Sequence, residues 1–224
     1  MGAEKSSRAV GIALVVVLTI AAALRLANLT GPDVIGDDAH YALRAVGYFD
    51  YVGSLNTQTT PVVWFPERVW WQGLSFHDAP PLVFAAQWFF FQVLGDNLFA
   101  ARIPFVLAGL AAVFGMFLLA RLNFQEEILG GQAREAGKND WVGIGAAALL
   151  AVSNYHVWLS RIGLLDGFVA LFVIYALYFF LKARSDDRFY LGWAVCCGLG
   201  LLSKYTFLFM GPVFLLPLLL WRRS

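Results

Sequence analysis

The chain reads as an all-α, polytopic transmembrane helical bundle with juxtamembrane helices in its first outer loop. Three observations support this reading. Of the 224 residues, 60% are hydrophobic and only 14% charged, with a mean hydropathy of +0.68, outside the range of an ordinary soluble fold. The apolar residues fall in runs, several near the roughly 20 that a helix needs to cross a hydrocarbon core about 30 Å thick. Basic residues gather in alternate links between those runs, as the positive-inside rule requires of cytoplasmic segments. The same composition excludes other functions. Lys+Arg 16 against Asp+Glu 15 leaves a net charge of +1, so no basic field is available to hold nucleic acid. The two cysteines, Cys196 and Cys197, are adjacent in an apolar run, which is neither a disulfide framework nor a thiolate metal spacing. Tandem repeats, heptads and low-complexity tracts are absent.

The first run, Ala9 to Leu29, follows Lys5 and Arg8, and Arg25 lies near enough to its far end to snorkel into the interface. It also fits a signal peptide, but the apolar content downstream favours an uncleaved anchor, and either way the next segment is outside. From Thr30 to Pro80 the chain is mixed, with six acids (Asp33, Asp37, Asp38, Asp50, Glu67, Asp78) and two basic residues, Arg44 and Arg68. A segment this poor in Lys and Arg belongs outside the cytoplasm. Leu82–Leu94 is 13 residues, about 20 Å as helix, too short to span, and is read as a juxtamembrane or re-entrant helix on the outer face. Crossings are then expected at Leu98–Leu119, Trp141–Leu159, Leu164–Leu181, Tyr190–Ser203 and Thr206–Trp221, the last two made irregular by shortness and by Pro212 and Pro217. With the first run this makes six crossings in one transmembrane module covering 1–224. The links with Arg121, Arg134 and Lys138 and with Lys182, Arg184 and Arg188, and the end Arg222-Arg223, fall inside. Four separate places then reach the outer boundary: the Thr30–Pro80 loop, Arg102, Ser160–Asp166 and Ser203–Tyr205. One site there is the economical explanation.

Three constellations in that set bear chemistry. In Asp37-Asp38-Ala39-His40-Tyr41-Ala42-Leu43-Arg44, a helix puts Asp37, Tyr41, Arg44 and Tyr48 on one face and Ala39, Leu43 and Val46 in an apolar stripe, as in a helix lying on the bilayer. Either Asp caps such a helix well; two adjacent carboxylates beside His and Tyr also suit a general base or a metal ligand. Between two apolar runs, Arg161 and Asp166 carry charges that cost roughly 2.5–3.5 kcal/mol each at membrane depth. They are read either as a mutual ion pair or as functional groups, with His156 as a hydrogen-bonded boundary residue. Lys204 is either a snorkelling cation or, like Arg161, a phosphate contact. The tryptophans, among them Trp64, Trp70, Trp71 and Trp88, read as an aromatic belt.

In order, Asp37-Asp38-x-x-Tyr41-Ala42, His77-x-x-Pro80-Pro81-Leu82, Ala101-Arg102-Ile103-Pro104, Ser160-Arg161-x4-Asp166 and Leu201-Leu202-Ser203-Lys204-Tyr205 resemble the membrane glycosyltransferases of the GT-C superfamily. The resemblance is closest to the branch of protein O-mannosyltransferases and lipid A aminoarabinose transferases and runs from about Ala9 to Trp221. It implies an integral, multi-pass enzyme of the cell envelope. Such an enzyme moves a sugar from a polyprenyl-phosphate donor to a hydroxyl on protein, lipid or glycan at the extracytoplasmic face. By resemblance, Asp37 and Asp38 fill the family's acidic pair, usually Asp-Glu; Asp166 matches the acid of the second outer loop and Lys204 the base of the third. Ala79 stands where relatives often have Lys or His, which leaves His77 or Arg68 for any phosphate contact there. Relatives are longer, so the chain is expected to be a piece of a longer protein. The mechanism expected is inverting transfer with Asp37 as base and Lys204, Arg161, Arg102 or His77 on the departing phosphate. Alternatively, Asp38 and Asp166 hold a divalent metal cation as cofactor; the residues leave metal and basic groups open. The rivals are a non-catalytic polyprenyl-phosphate-binding or flippase-associated module and, third, a transporter. Against the transporter stand charges at the boundary rather than the midplane, and no paired inverted halves.

Overall fold

The computed structural model describes residues 2–34, 36–46, 79–122 and 138–213, and among them there is helix and turn but no strand. The helices are α1 (Gly2–Leu26), α2 (Asp37–Val46), α3 (Leu82–Leu94), α4 (Leu98–Ala120), α5 (Lys138–Val152), α6 (Asn154–Leu159), α7 (Asp166–Lys182) and α8 (Phe189–Ser203), followed by a 3-10 helix, Tyr205–Met210. Ser6–Leu26 and Leu98–Ala120 are long and apolar enough to cross a membrane, and Leu82–Leu94, Asn139–Val152 and Phe189–Ser203 are shorter apolar helices.

α4 is the central element, in contact with α1, α3, α5, α6 and α7. It starts at Asn97, whose side chain accepts the Ala100 N–H at 2.9 Å, one of the helix's otherwise unpaired donors. Its first turns are rich in alanine, so that α3 approaches closely, with α2 packed on α3: Ala100, Ala101, Phe105 and Ala108 bury with Ala45, Val83, Phe84, Phe91 and Phe168. Pro104 removes one backbone donor in this region, and here α3 is tied on by Gln87, whose Nε2 donates to Ala101 O at 3.0 Å. On the opposite side, Val113 and Phe117 pack with Val10, Val17 and Ala21 of α1 and Ile144, Ala147 and Ala151 of α5. α7 and α8 form a third cluster around Ala176, Phe180 and Cys196, closed by Phe207 of the 3-10 helix. Phe207 fits because Gly200 has no side chain; its ring occupies the space a Cβ would fill.

The apolar runs become helices with shifts that have physical causes. Leu82–Leu94 matches the expected segment at both ends, where Pro81 precedes it and Gly95, at φ 80°, follows it. The expected Trp141–Leu159 crossing is instead two helices, because Ser153 adopts an extended ψ of 116° and re-aims the six residues of α6. Arg25 does not snorkel: it is fully buried against α5 and α6, where carbonyls and an imidazole replace water around its guanidinium. In α2 the stripe through Ala39 and Leu43 lines an open groove rather than packing in the core, and Leu43 is exposed. The inward residues are Asp38, Tyr41, Ala42, Arg44 and Ala45; the Tyr41 ring meets Phe84 edge-on at 5.6 Å and Arg44 lies over the same ring at 4.5 Å. The run expected from Thr206 opens as the tighter 3-10 helix, and residues beyond Val213 lie outside those described. Most of the Thr30–Pro80 loop, with Tyr48, Arg68, His77, Trp64, Trp70 and Trp71, is also outside them.

Candidate active site

The polar residues of α2, the start of α4, the turn before α7 and the end of α8 meet at one end of the bundle. α2 begins immediately after Gly36, whose φ of 56° turns the chain so that Asp37 and Asp38 occupy the first helical turn. The two carboxylates then diverge. Asp38 is buried, 4% exposed, while Asp37 is exposed.

Asp38 Oδ2 accepts from Arg102 Nη2 at 2.6 Å and Nε at 3.2 Å, and its Oδ1 accepts the Gly163 N–H at 2.8 Å. Arg102 has no exposed surface, and its remaining donors go to Leu29 O (2.8 Å), Pro32 O (3.1 Å) and Asp33 O (3.2 Å). A buried ion pair holds only where geometry is good and the remaining polar atoms are satisfied, and both conditions are met here. The pair ties α2 to α4, the carbonyl bonds of Arg102 tie the segment after α1 to α4, and Gly163 ties α2 to the turn before α7. A side chain at 163 would place a Cβ 2.5 Å from Asp38 Oδ1, so the contact requires glycine.

Asp166 stands in the first turn of α7, where the helix dipole favours a negative charge, and accepts Lys204 Nζ through both oxygens at 2.9 and 2.8 Å. Lys204 follows α8 in an extended conformation, and the pair is partly open to solvent, with side chains 31% and 43% exposed. The Arg161–Asp166 ion pair weighed above does not form. Arg161 instead donates to Ala27 O at 2.6 Å, Asn28 O at 3.2 Å and Leu24 O at 3.5 Å, a cation on the open carbonyls of the α1 C-terminus.

Arg25 and Gly163 were not among the site candidates. Arg25 donates to Ala21 O (2.9 Å), Ala151 O (3.1 Å) and His156 Nδ1 (2.7 Å). The available signal was a charge inside an apolar run, which marks a buried partner as readily as a snorkel. Gly163 acts through its backbone N–H and leaves no mark in residue type.

Asp38 and Asp166 do not fit a shared metal site: one carboxylate is held by a guanidinium and a backbone N–H, the other by an ammonium. Among the described residues no group of three or more His, Cys, Asp or Glu side chains gathers to hold an ion. What the arrangement offers is an exposed carboxylate on a rigid seat and a cation in an exchangeable pair. An apolar groove of about 330 Å³ runs beside α2, lined by Ala39, Leu43, Phe91 and Leu98 with Asp96 and Asn97 at its polar edge.

No match was found among curated proteins or among solved structures. The family model described as dolichyl-phosphate-mannose-protein mannosyltransferase matches residues 78–130 and 133–224. That stretch contains Arg102, Arg161, Gly163, Asp166 and Lys204. Asp37 and Asp38 precede it, but Asp38 bonds to Arg102 and Gly163 within it. The match spans more than half of the chain, which therefore belongs to the dolichyl-phosphate-mannose-protein mannosyltransferase family, membrane glycosyltransferases of the GT-C type.

Proposed function

We propose that the chain transfers a sugar from a polyprenyl-phosphate donor to a hydroxyl of protein, lipid or glycan, with inversion, at the extracytoplasmic face of a multi-pass membrane module. The observation that carries this reading is the division of labour in the acidic pair. Asp38 is spent on Arg102 and Gly163, while the neighbouring Asp37 is exposed on the same rigid turn. Asp37 accepts the proton of the attacking hydroxyl, a contribution worth about 10²–10⁴-fold. As the C–O bond to the carrier breaks, negative charge develops on the phosphate. Lys204 meets it by turning from Asp166, and Arg161 adds a fixed positive charge at the same end. The apolar groove beside α2 receives the first apolar units of the carrier. In this reading Asp38 and Arg102 seat the base and touch no substrate, His77 stands as a second phosphate contact, and no step passes through a metal.

The test is sugar transfer from labelled polyprenyl-phosphate sugars in membranes containing the full-length protein, with Asp37→Asn alongside. Turnover is expected to fall at least about 100-fold with carrier affinity retained. Unchanged transfer in Asp37→Asn removes Asp37 as the base; carrier binding without transfer from any donor favours the non-catalytic binding module.

A further inference from the structure

We propose that Arg25 and His156 are a positioning pair for this site: they fix the turn that carries Gly163, and through the Gly163–Asp38 bond they fix the start of α2. The kinetic part of the inference rests on the transferase reading above; the structural part does not.

Arg25 is fully buried in an apolar bundle with no carboxylate beside it among the described residues, and its Nε has no hydrogen-bond partner among them. A buried cation left in that state is costly, so its retained contacts indicate a task. Those contacts straddle the break at Ser153: Ala151 O lies in the last turn of α5 and His156 in α6. The guanidinium therefore sets how the two helices meet. A guanidinium only donates, so His156 Nδ1 presents a lone pair and the imidazole is the neutral tautomer with its proton on Nε2. That Nε2 has no partner among the described residues, so Arg25 supplies the ring's one hydrogen bond there.

From His156 the contacts run outward. Its carbonyl accepts both the Ser160 N–H at 3.1 Å and the Ser160 hydroxyl at 2.6 Å. Arg161 then returns to the end of α1, and Gly163 donates to Asp38. Gly109 of α4 gives this assembly its space: a Cβ there would overlap Ser160 and lie 3.0 Å from Arg25 Nε. The path α1–Arg25–His156–turn–Asp38–α2 is continuous, and it runs beside the bonds of Arg161 to the end of α1 and of Arg102 to Asp38.

The test compares His156→Phe, which keeps a ring but removes the acceptor, with His156→Asn, whose side-chain oxygen can stand in for Nδ1, in the membrane-embedded full-length protein. In His156→Phe, hydrogen exchange at the Gly163 amide is expected to speed up on the order of tenfold while the middle of α7 is unchanged. Turnover falls by a similar factor with donor KM unchanged, and His156→Asn restores both. Unchanged Gly163 exchange in His156→Phe, or an Asn variant no better than Phe, overturns the proposal. Arg25→Lys keeps the charge but cannot reach all three acceptors and is read the same way, which decides the matter if His156→Phe does not fold. If the wild-type protein transfers no sugar, the exchange measurements still judge the positioning pair, and only the transferase reading falls.

Discussion

Asp38 and Arg102 show how much one buried pair can determine. Replacing Arg102 by Met leaves a carboxylate buried against Gly163 N–H alone, and stability is expected to drop by about 3–5 kcal/mol. Because much of that loss is the stranded charge, Arg102→Met with Asp38→Leu should unfold at a higher temperature than Arg102→Met alone. A thermal double-mutant cycle in detergent checks this. Gly163→Ala forces Asp38 away from its N–H contact and is expected to cost about 1–3 kcal/mol, measured in the same way. Lys204 differs. Its pair with Asp166 is open to solvent and contributes little to stability, typically under about 1 kcal/mol. Because Lys204 meets the phosphate charge only as that charge develops, Lys204→Met should lower kcat about 100-fold or more with donor KM and melting nearly unchanged. Asp37 and Asp38 are indistinguishable by residue type; their different roles come from a rotation of about 100° along α2, which turns one carboxylate inward and the other out.

Among the elements, those bounded by punctuation were readable from the amino acids and those bounded by tertiary contact were not. α3 lies between Pro81 and Gly95, and α4 follows an Asn cap, so their ends are local matters. The break at Ser153 has no proline or glycine to announce it, only Ser153-Asn154, residue types that cap helices but also stand within them; Arg25, 126 positions before Ala151 in the chain, bridges it. At 13 residues, about 20 Å, α3 is expected to return to the side it came from. Asp96→Cys, next to its exposed end, should react with a membrane-impermeant maleimide in intact cells, and Leu122→Cys, after α4, only after permeabilisation. Labelling of both from the same side would overturn this arrangement.

Across the whole molecule, polar residues from four distant stretches converge at one end while the sides stay apolar. Exposed Ile12, Val15, Val16 and Ile20 on α1 and Trp88, Phe89 and Val93 on α3 suit contact with lipid chains. Because Asp38 stays bonded to Arg102 and the Gly163 N–H, chelators are expected to leave transfer unchanged; loss of transfer in chelator, restored by a divalent ion, would contradict that. Composition and the length of the apolar runs were sufficient for the helical architecture and for grouping the charges, because exclusion of charge from hydrocarbon acts on each residue wherever its partners lie. Which charge meets which partner was decided only by tertiary packing. Arg161 pairs with the end of α1, Asp166 with Lys204, and Arg25 turns inward, because hydrogen bonds depend on separations of a few ångströms between helices far apart in the chain, and no local periodicity encodes those separations.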